Sequence, residues 1–385
     1  MGHIRVLSVF GTRPEAIKMA PLVNALKQSN HVESLVCVTA QHREMLDQVL
    51  TIFDIYPDYD LDIMKEHQSL TGITNKVLDG LESVIADACP DIVLVHGDTT
   101  TTFAAALAAF YNRTTIGHVE AGLRTYNKNE PFPEEMNRVL TTSLADLHFA
   151  PTHRARENLL REAVNEDRIF VTGNTAIDAL QLTLDETHIF EEPLLNSIDF
   201  NLSRVITVTA HRRENLGQPL KEICDAILHI VEQNLDVEVV YPMHMNPVVR
   251  DLVSSVLGSH SRIHLIDPLN IKDMHNLLNQ SYMVMTDSGG LQEEVPSMGK
   301  PVLVLRNVTE RPEGLEAGTL KLAGTKKETI VRLAQELLDS SVAYNEMAKA
   351  TNPFGDGKAS ARIVNAILNF FSLSSEGYNC TKQVL

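Results

Sequence analysis

Short apolar runs alternate with amphipathic stretches along most of the chain. Arg5–Phe10 is apolar and β-rich, and Pro14–Gln28 follows with Ile17, Ala20, Leu22, Ala25 and Leu26 at helical spacing. The same alternation predicts strands at Ser34–Thr39, Ile92–Val95, Thr115–Val119, Leu147–Ala150 and Ile169–Val171. Helices fall between them at Arg43–Phe53, Leu70–Ala88, Thr102–Phe110, Glu134–Ser143 and His153–Glu162. The stretch Asp185–Leu202 breaks the rhythm, with Pro193, mixed charge and few strand signals. The alternation then restarts with strands at Val205–Thr209, Val237–Tyr241, Ile263–Ile266, Tyr282–Thr286 and Val302–Leu305. The last helical stretches are Lys327–Asp339, Ala343–Ala350 and Ser360–Phe371. Such alternation reads as α/β architecture: parallel sheets with helices on both faces. Two Rossmann-like domains are expected, over residues 1–180 and 181–355. A C-terminal helix is expected over 356–371, with a flexible tail over 372–385.

Composition narrows the function classes. The 385 residues are 44% apolar, which suits full globular cores. The net charge of −17 disfavours nucleic acid and anionic lipid as partners. A few Arg and Lys can still make a locally positive cleft for a small anionic substrate. The four cysteines, Cys37, Cys89, Cys224 and Cys380, lack CxxC or CxC spacing, which argues against a disulfide framework or structural zinc. No apolar stretch approaches the ~20 residues that span a bilayer, and the expected compartment is the cytoplasm.

Ligands of parallel α/β sheets bind beyond the carboxyl ends of the strands, and several predicted strand ends here are rich in polar residues. After the first strand comes Gly11-Thr12-Arg13-Pro14-Glu15, with Lys18 a turn later. Amides at the helix start, with Arg13 and Lys18, make a candidate anion site. His96-Gly97-Asp98 runs into four threonines, which read equally as an N-cap cluster or as a site with a backbone approach at Gly97. Glu120 stands at a strand end, where a carboxylate has no routine structural task. Glu134 and Arg138 lie four apart on a helix, the spacing of an ordinary surface ion pair. In the second half, His211 is followed by Arg212 and Arg213 at a strand end, a candidate phosphate or acid/base site. Ser288, Gly289 and Gly290 open a helix where amides can reach a phosphate, with Glu294 further along and Arg311 in a later loop. Carboxylates in the first half and an anion-binding turn in the second suit a nucleotide-sugar held in the cleft between two domains.

The segments GTRPEAIKMAPL, AQHREMLDQV, HGDTTTT, HVEAGLRT, PFPEEMNR, TGN, TAHRRENLG, TDSGGLQEE and TERPEG occur in this order over roughly Ile4 to Phe371. As a set they resemble the non-hydrolysing UDP-N-acetylglucosamine 2-epimerases. The resemblance implies a fold of the glycosyltransferase-B type with the ligand in the interdomain cleft, the C-terminal helix over 356–371 packing back on the first domain, and a homodimer. It implies reversible conversion of UDP-GlcNAc to UDP-ManNAc without metal or other cofactor, by elimination of UDP to 2-acetamidoglucal and re-addition, for cell-surface polysaccharide. Position by position, Asp98, Glu120, Glu134 and His211 match the family's catalytic residues. Arg13, Lys18, Arg138, Arg311, Ser288, Gly289, Gly290 and Glu294 match its contacts to substrate and UDP.

Three positions depart from the family pattern. Many bacterial members hold a second, regulatory UDP-GlcNAc with a Gln-His-Arg-Gln stretch and a downstream Arg. Here Gln41 and His42 are kept, Glu44 replaces the second Gln, and His67 stands where Arg is common; altered regulation is expected. Met274 stands where an aromatic residue is frequent. A hydrolysing 2-epimerase, a glycosyltransferase of the same fold and a non-enzymatic sensor are the rival readings. The acid/base set speaks against the last of these.

Overall fold

The computed structural model describes residues 3–40, 43–63 and 68–375. The chain forms two compact units, Met1–Ala179 with Gly355–Leu385, and Leu180–Phe354.

The first unit is built on a seven-stranded sheet of β1 (Ile4–Phe10), β2 (Val32–Val38), β3 (Tyr59–Asp60), β4 (Ile92–His96), β5 (Thr115–Val119), β6 (Leu147–Ala150) and β7 (Ile169–Val171). Every pairing is parallel, and the order is β3-β2-β1-β4-β5-β6-β7. Central strands covered by helices on both faces have no solvent side, so they read as unbroken apolar runs. All five residues of β4 are buried. The last helix, Ala359–Ser375, packs on helix Arg13–Lys27. Its first turn is tied down by Asp178, which accepts from the Ser360 and Ala359 amides at 2.7 and 3.1 Å. That helix runs four residues past Phe371, where the sequence pattern fades, so residues 372–375 are helical; the remainder of the expected tail, 376–385, lies outside the described residues.

The second unit carries a six-stranded sheet of β8 (Arg204–Thr209), β9 (Val237–Pro242), β10 (Ile263–Ile266), β11 (Met283–Thr286), β12 (Val302–Val304) and β13 (Leu320–Leu322). It too is all parallel, in the order β10-β9-β8-β11-β12-β13. One face packs its apolar side chains against helices Gln218–Gln233, Pro247–Leu257 and Lys327–Asp339, with Tyr241, Ile227 and Leu337 fully buried.

Both sheets reverse their winding in the middle, between β1 and β4 and between β8 and β11. A crevice opens at the carboxyl ends where winding reverses, because the two connections leave toward opposite faces. The polar motifs Gly11–Lys18 and Gly97–Asp98 follow β1 and β4. The motifs at His211 and Ser288–Glu294 follow β8 and β11.

Candidate active site

The half-site of the first unit starts from a capped helix. Thr12 is the N-cap of Arg13–Lys27 and forms a capping box with Glu15. Glu15 is 2% exposed and takes the Gly11 and Thr12 amides at 3.1 and 2.8 Å and the Thr12 and Thr99 hydroxyls at 2.8 and 2.7 Å. Burial raises its carboxyl above the usual range, against the pull of these donors. One buried carboxylate thus ties the turn after β1 to the turn after β4. Gly11 is required there, because a β-carbon would lie 1.9 Å from Thr39 Oγ1.

Two expected site residues, Glu120 and Lys18, meet at the carboxyl end of β5. Glu120 follows the strand with φ +63°. Its Oε2 accepts from Lys18 Nζ and from Asn174 Nδ2, the latter at 2.9 Å. His96 Nε2 lies 3.8 Å from the same oxygen. His96 is 3% exposed, neither ring nitrogen makes a hydrogen bond, and burial pushes its pKa down to about 4 although the Glu120 charge opposes this. Next to them, Arg138 holds Asp98 through Nε and Nη2, at 2.8 and 2.7 Å, and Asn137 donates to the Asp98 carbonyl at 2.9 Å.

The Glu134–Arg138 surface pair suggested by helical spacing does not form. Arg138 bonds Asp98 and Glu135, and Glu135 is the inward carboxylate, taking the Thr125 and Tyr126 amides. Glu134 is half-buried, and its carboxylate takes no hydrogen bond or ion pair among the described residues. The guanidinium of Arg13, also half-buried, likewise takes none among them. Lys18 and Arg138, expected against substrate, are held by Glu120 and Asp98.

In the second unit, Thr209 and Thr286 join the ends of β8 and β11 through a hydroxyl pair at 2.6 Å. Asp287 is fully buried between the two turns. Its Oδ2 accepts the His211 and Arg212 amides and the Asn215 side-chain amide at 2.8, 2.7 and 3.0 Å. The His211 ring stacks on His244 with centroids 5.0 Å apart and planes within 4°. Partial burial lowers the His211 pKa, Asp287 pulls it up, and His244 and Arg212 push it down.

The short helix Gly289–Glu294 starts beneath two guanidinium groups. A β-carbon on Gly289 would lie 3.7 Å from Arg212 Nη2 and 3.8 Å from Arg311 Nη2. Arg311 is itself braced by Glu293, and Ser288, the N-cap, spends no hydroxyl bond on capping. Two cations over a glycine backbone and a helix start are what an anionic diphosphate needs. Glu294 Oε2 lies 3.6 Å from His275 Nε2, on the helix it was expected to occupy. Met274, at the position often aromatic in the resembling family, packs into an apolar cluster with Leu278 and Val284.

Gln41, His42 and His67 of the regulatory motif lie outside the described residues, as does the side chain of Glu44. Among the described residues no cluster of three or more His, Cys, Asp and Glu is arranged to hold a metal ion. No helix among them is long and apolar enough to cross a membrane.

Two doubly wound parallel sheets, each with polar residues at its switch point, define an α/β protein of the glycosyltransferase-B type. The model of the UDP-N-acetylglucosamine 2-epimerase family matches residues 24–368. The chain is 56% identical over 376 residues to the UDP-N-acetylglucosamine 2-epimerase of Bacillus subtilis, covering 98% of each. Among solved structures, UDP-GlcNAc 2-epimerase from Neisseria meningitidis bound to UDP-GlcNAc superposes with a TM-score of 0.85 at 50% identity, over 95% of this chain and all of that one. A structure of S. aureus MnaA with UDP gives 0.83 at 53% identity, over 96% of this chain and 97% of that one. The chain belongs to the UDP-N-acetylglucosamine 2-epimerase family.

Proposed function

We propose that this chain interconverts UDP-GlcNAc and UDP-ManNAc by eliminating UDP and adding it back. The observation that carries the reading is the pairing of carboxylates with fixed donors at the carboxyl ends of β4 and β5, Glu120 with Lys18 and Asn174, and Asp98 with Arg138. Solved relatives hold UDP-GlcNAc and UDP, which supports the substrate class.

The chemistry explains why such a set is needed. The C2 hydrogen of the sugar is not beside a carbonyl, so a carbanion at C2 would be too costly. Loss of UDP avoids it. The C1–O bond breaks with its electron pair going to the diphosphate, the C2–H pair becomes the C1=C2 bond of 2-acetamidoglucal, and a carboxylate takes the proton. Re-addition reverses these changes with the proton delivered to the other face of C2. Two faces call for two differently placed acid/base groups, drawn from Asp98, Glu120 and Glu134. The departing diphosphate gathers charge, and its stabilisation is assigned to Arg212, Arg311, Ser288, the amides of Gly289 and Gly290, and His211. Glu294 is assigned to the ribose diol. Arg13 is assigned to the sugar diphosphate.

The test is proton NMR with UDP-GlcNAc in deuterated buffer. UDP-ManNAc carrying deuterium at C2 is the expected product, whereas free ManNAc with UDP would place the chain among hydrolysing enzymes. Single D98N, E120Q and E134Q variants should lose C2 exchange to different degrees, and unchanged exchange in all three would remove the acid/base assignment. UDP-ManNAc is an activated donor of the kind that cell-surface polysaccharide assembly consumes.

We also propose a homodimer. Helices Thr100–Tyr111 and Glu134–Leu144 pack side by side and leave Phe110, Tyr111, Met136 and Leu140 exposed, an apolar face suited to a second copy. Sedimentation of a single species at monomer mass would refute it. Cys37, Cys89 and Cys224 are free thiols, in keeping with a cytoplasmic setting.

A further inference from the structure

Asp287 has two oxygens in very different circumstances. Oδ2 takes three N–H donors and fixes the turn that carries His211. Oδ1 is buried and makes no hydrogen bond, yet it lies 3.6 Å from His211 Nδ1. An unsatisfied charged oxygen in a fully buried residue is costly, and three donors already suffice to hold the turn. An asparagine would keep an acceptor for the three donors without burying a charge, if anchoring were the whole purpose.

We propose that Asp287 is the positioning residue for His211: it fixes the proton of the neutral imidazole on Nδ1 and leaves Nε2 as the working nitrogen. The proposal rests on the reading of His211 as a group of the epimerisation site.

The surroundings support this arrangement. His211 rides on the backbone that Asp287 Oδ2 anchors, so one carboxylate sets both the position of the residue and the state of its ring. His244 stacks on the opposite side and cannot compete for the His211 nitrogens in the ring plane. Its own Nδ1 is occupied in accepting the Asn246 amide at 3.1 Å. Asp287, His244 and Arg212 are the charged or titratable groups acting on the ring. Of these only Asp287 can accept a proton-bearing nitrogen. A separation of 3.6 Å is longer than a hydrogen bond, as is common for acid/base contacts before substrate closes them. With Nδ1–H committed to Asp287, Nε2 can accept a proton or, once protonated, donate to an oxygen of the leaving diphosphate. The carboxylate then stabilises the imidazolium so formed.

The test uses the full-length protein. Long-range proton–nitrogen NMR of histidine-labelled wild-type chain should show His211 protonated on Nδ1 and bare on Nε2 at neutral pH; the opposite tautomer overturns the proposal. D287N keeps an oxygen for the backbone amides but turns an NH2 toward Nδ1, forcing the other tautomer. Its kcat should fall about 100-fold or more with KM and UDP affinity within about threefold of wild type. The limb of the pH–rate profile assigned to His211 should also move. Unchanged tautomer and kcat in D287N would overturn the proposal. If H211Q turns over at the wild-type rate, the reading of His211 falls, and the functional role of Asp287 falls with it, whatever the tautomer.

Discussion

Glu120 stands on a backbone with φ +63°, where a side chain other than glycine's costs roughly 1–2 kcal/mol. The left-handed turn sends its carboxylate toward Lys18, Asn174 and His96 rather than along the strand. Asn174 does more than fill space: its Oδ1 takes the Ala176 amide at 3.0 Å, which locks the side chain and aims Nδ2 at Glu120. Asn174→Ala should therefore lower kcat by about tenfold with little change in KM, since orientation matters at the reacting step and not in ground-state binding. Steady-state kinetics with UDP-GlcNAc would check this; a rise in KM alone would mean Asn174 contacts substrate instead. Asp98, Glu120 and His211 were legible in the sequence because each is a polar residue closing an apolar run. Two of their partners, Asn174 and Asp287, were not. Asn174 is 54 positions from Glu120 and Asp287 is 76 from His211, and only the fold brings such pairs together. Glu135 was hidden by its neighbour, since helical spacing ties Arg138 to Glu134 as readily as to Glu135.

Among elements, the loop after β5 is wedged against helix His153–Arg161. Gly122 has φ +89°, and a β-carbon there would lie 2.3 Å from the Ala155 carbonyl oxygen. Asn158 Nδ2 donates to the Gly122 carbonyl at 3.0 Å and closes the contact from the other side. Gly122→Ala would add backbone strain to a clash with another backbone, which cannot swing away. A loss of about 3 kcal/mol is expected, read as a lower urea midpoint with unchanged slope. Eleven of the thirteen strands among the described residues follow the expected runs to within two residues. The two that did not emerge from the pattern, β3 and β13, are edge strands of two and three residues, too short to show a period. The capping box at Thr12 and Glu15 was available in the spacing T-x-x-E, but its wider reach to Thr99 needs the adjacency of β1 and β4.

For the molecule as a whole, three buried histidines make stability depend on pH. His96, His118 and His148 are pushed down from 6.5 to about 4, 3 and 4, in each case chiefly by burial. An unfolded chain binds these protons near pH 6.5 and the folded one does not, so their contribution is complete above 6.5 and drains away as pH falls toward 4. Each depressed histidine adds about 1.4 kcal/mol per pH unit, so the three together approach about 4. Glu15 acts in the opposite sense and regains stability only as it protonates. Thermal unfolding between pH 6.5 and 5 should show a steep fall in Tm. His118→Gln, whose amide can replace the Nε2 bond to the Gly97 carbonyl, should make that fall about a third shallower. An unaltered slope would mean that His118 does not carry its share.

The first unit also needs both ends of the chain. Its course stops at Ala179, and the segment that completes it begins at Gly355, with Asp178 waiting to cap the helix that starts at Ala359. A ribosome adding about 5–20 residues per second spends roughly 10–35 s on the stretch from 180 to 354. For that interval the second unit can fold as it emerges, while the patch on helix Arg13–Lys27 destined for the last helix stands open to water. The nascent chain therefore carries a timed vulnerability at its oldest part, and chaperones have the whole of that interval in which to shelter it.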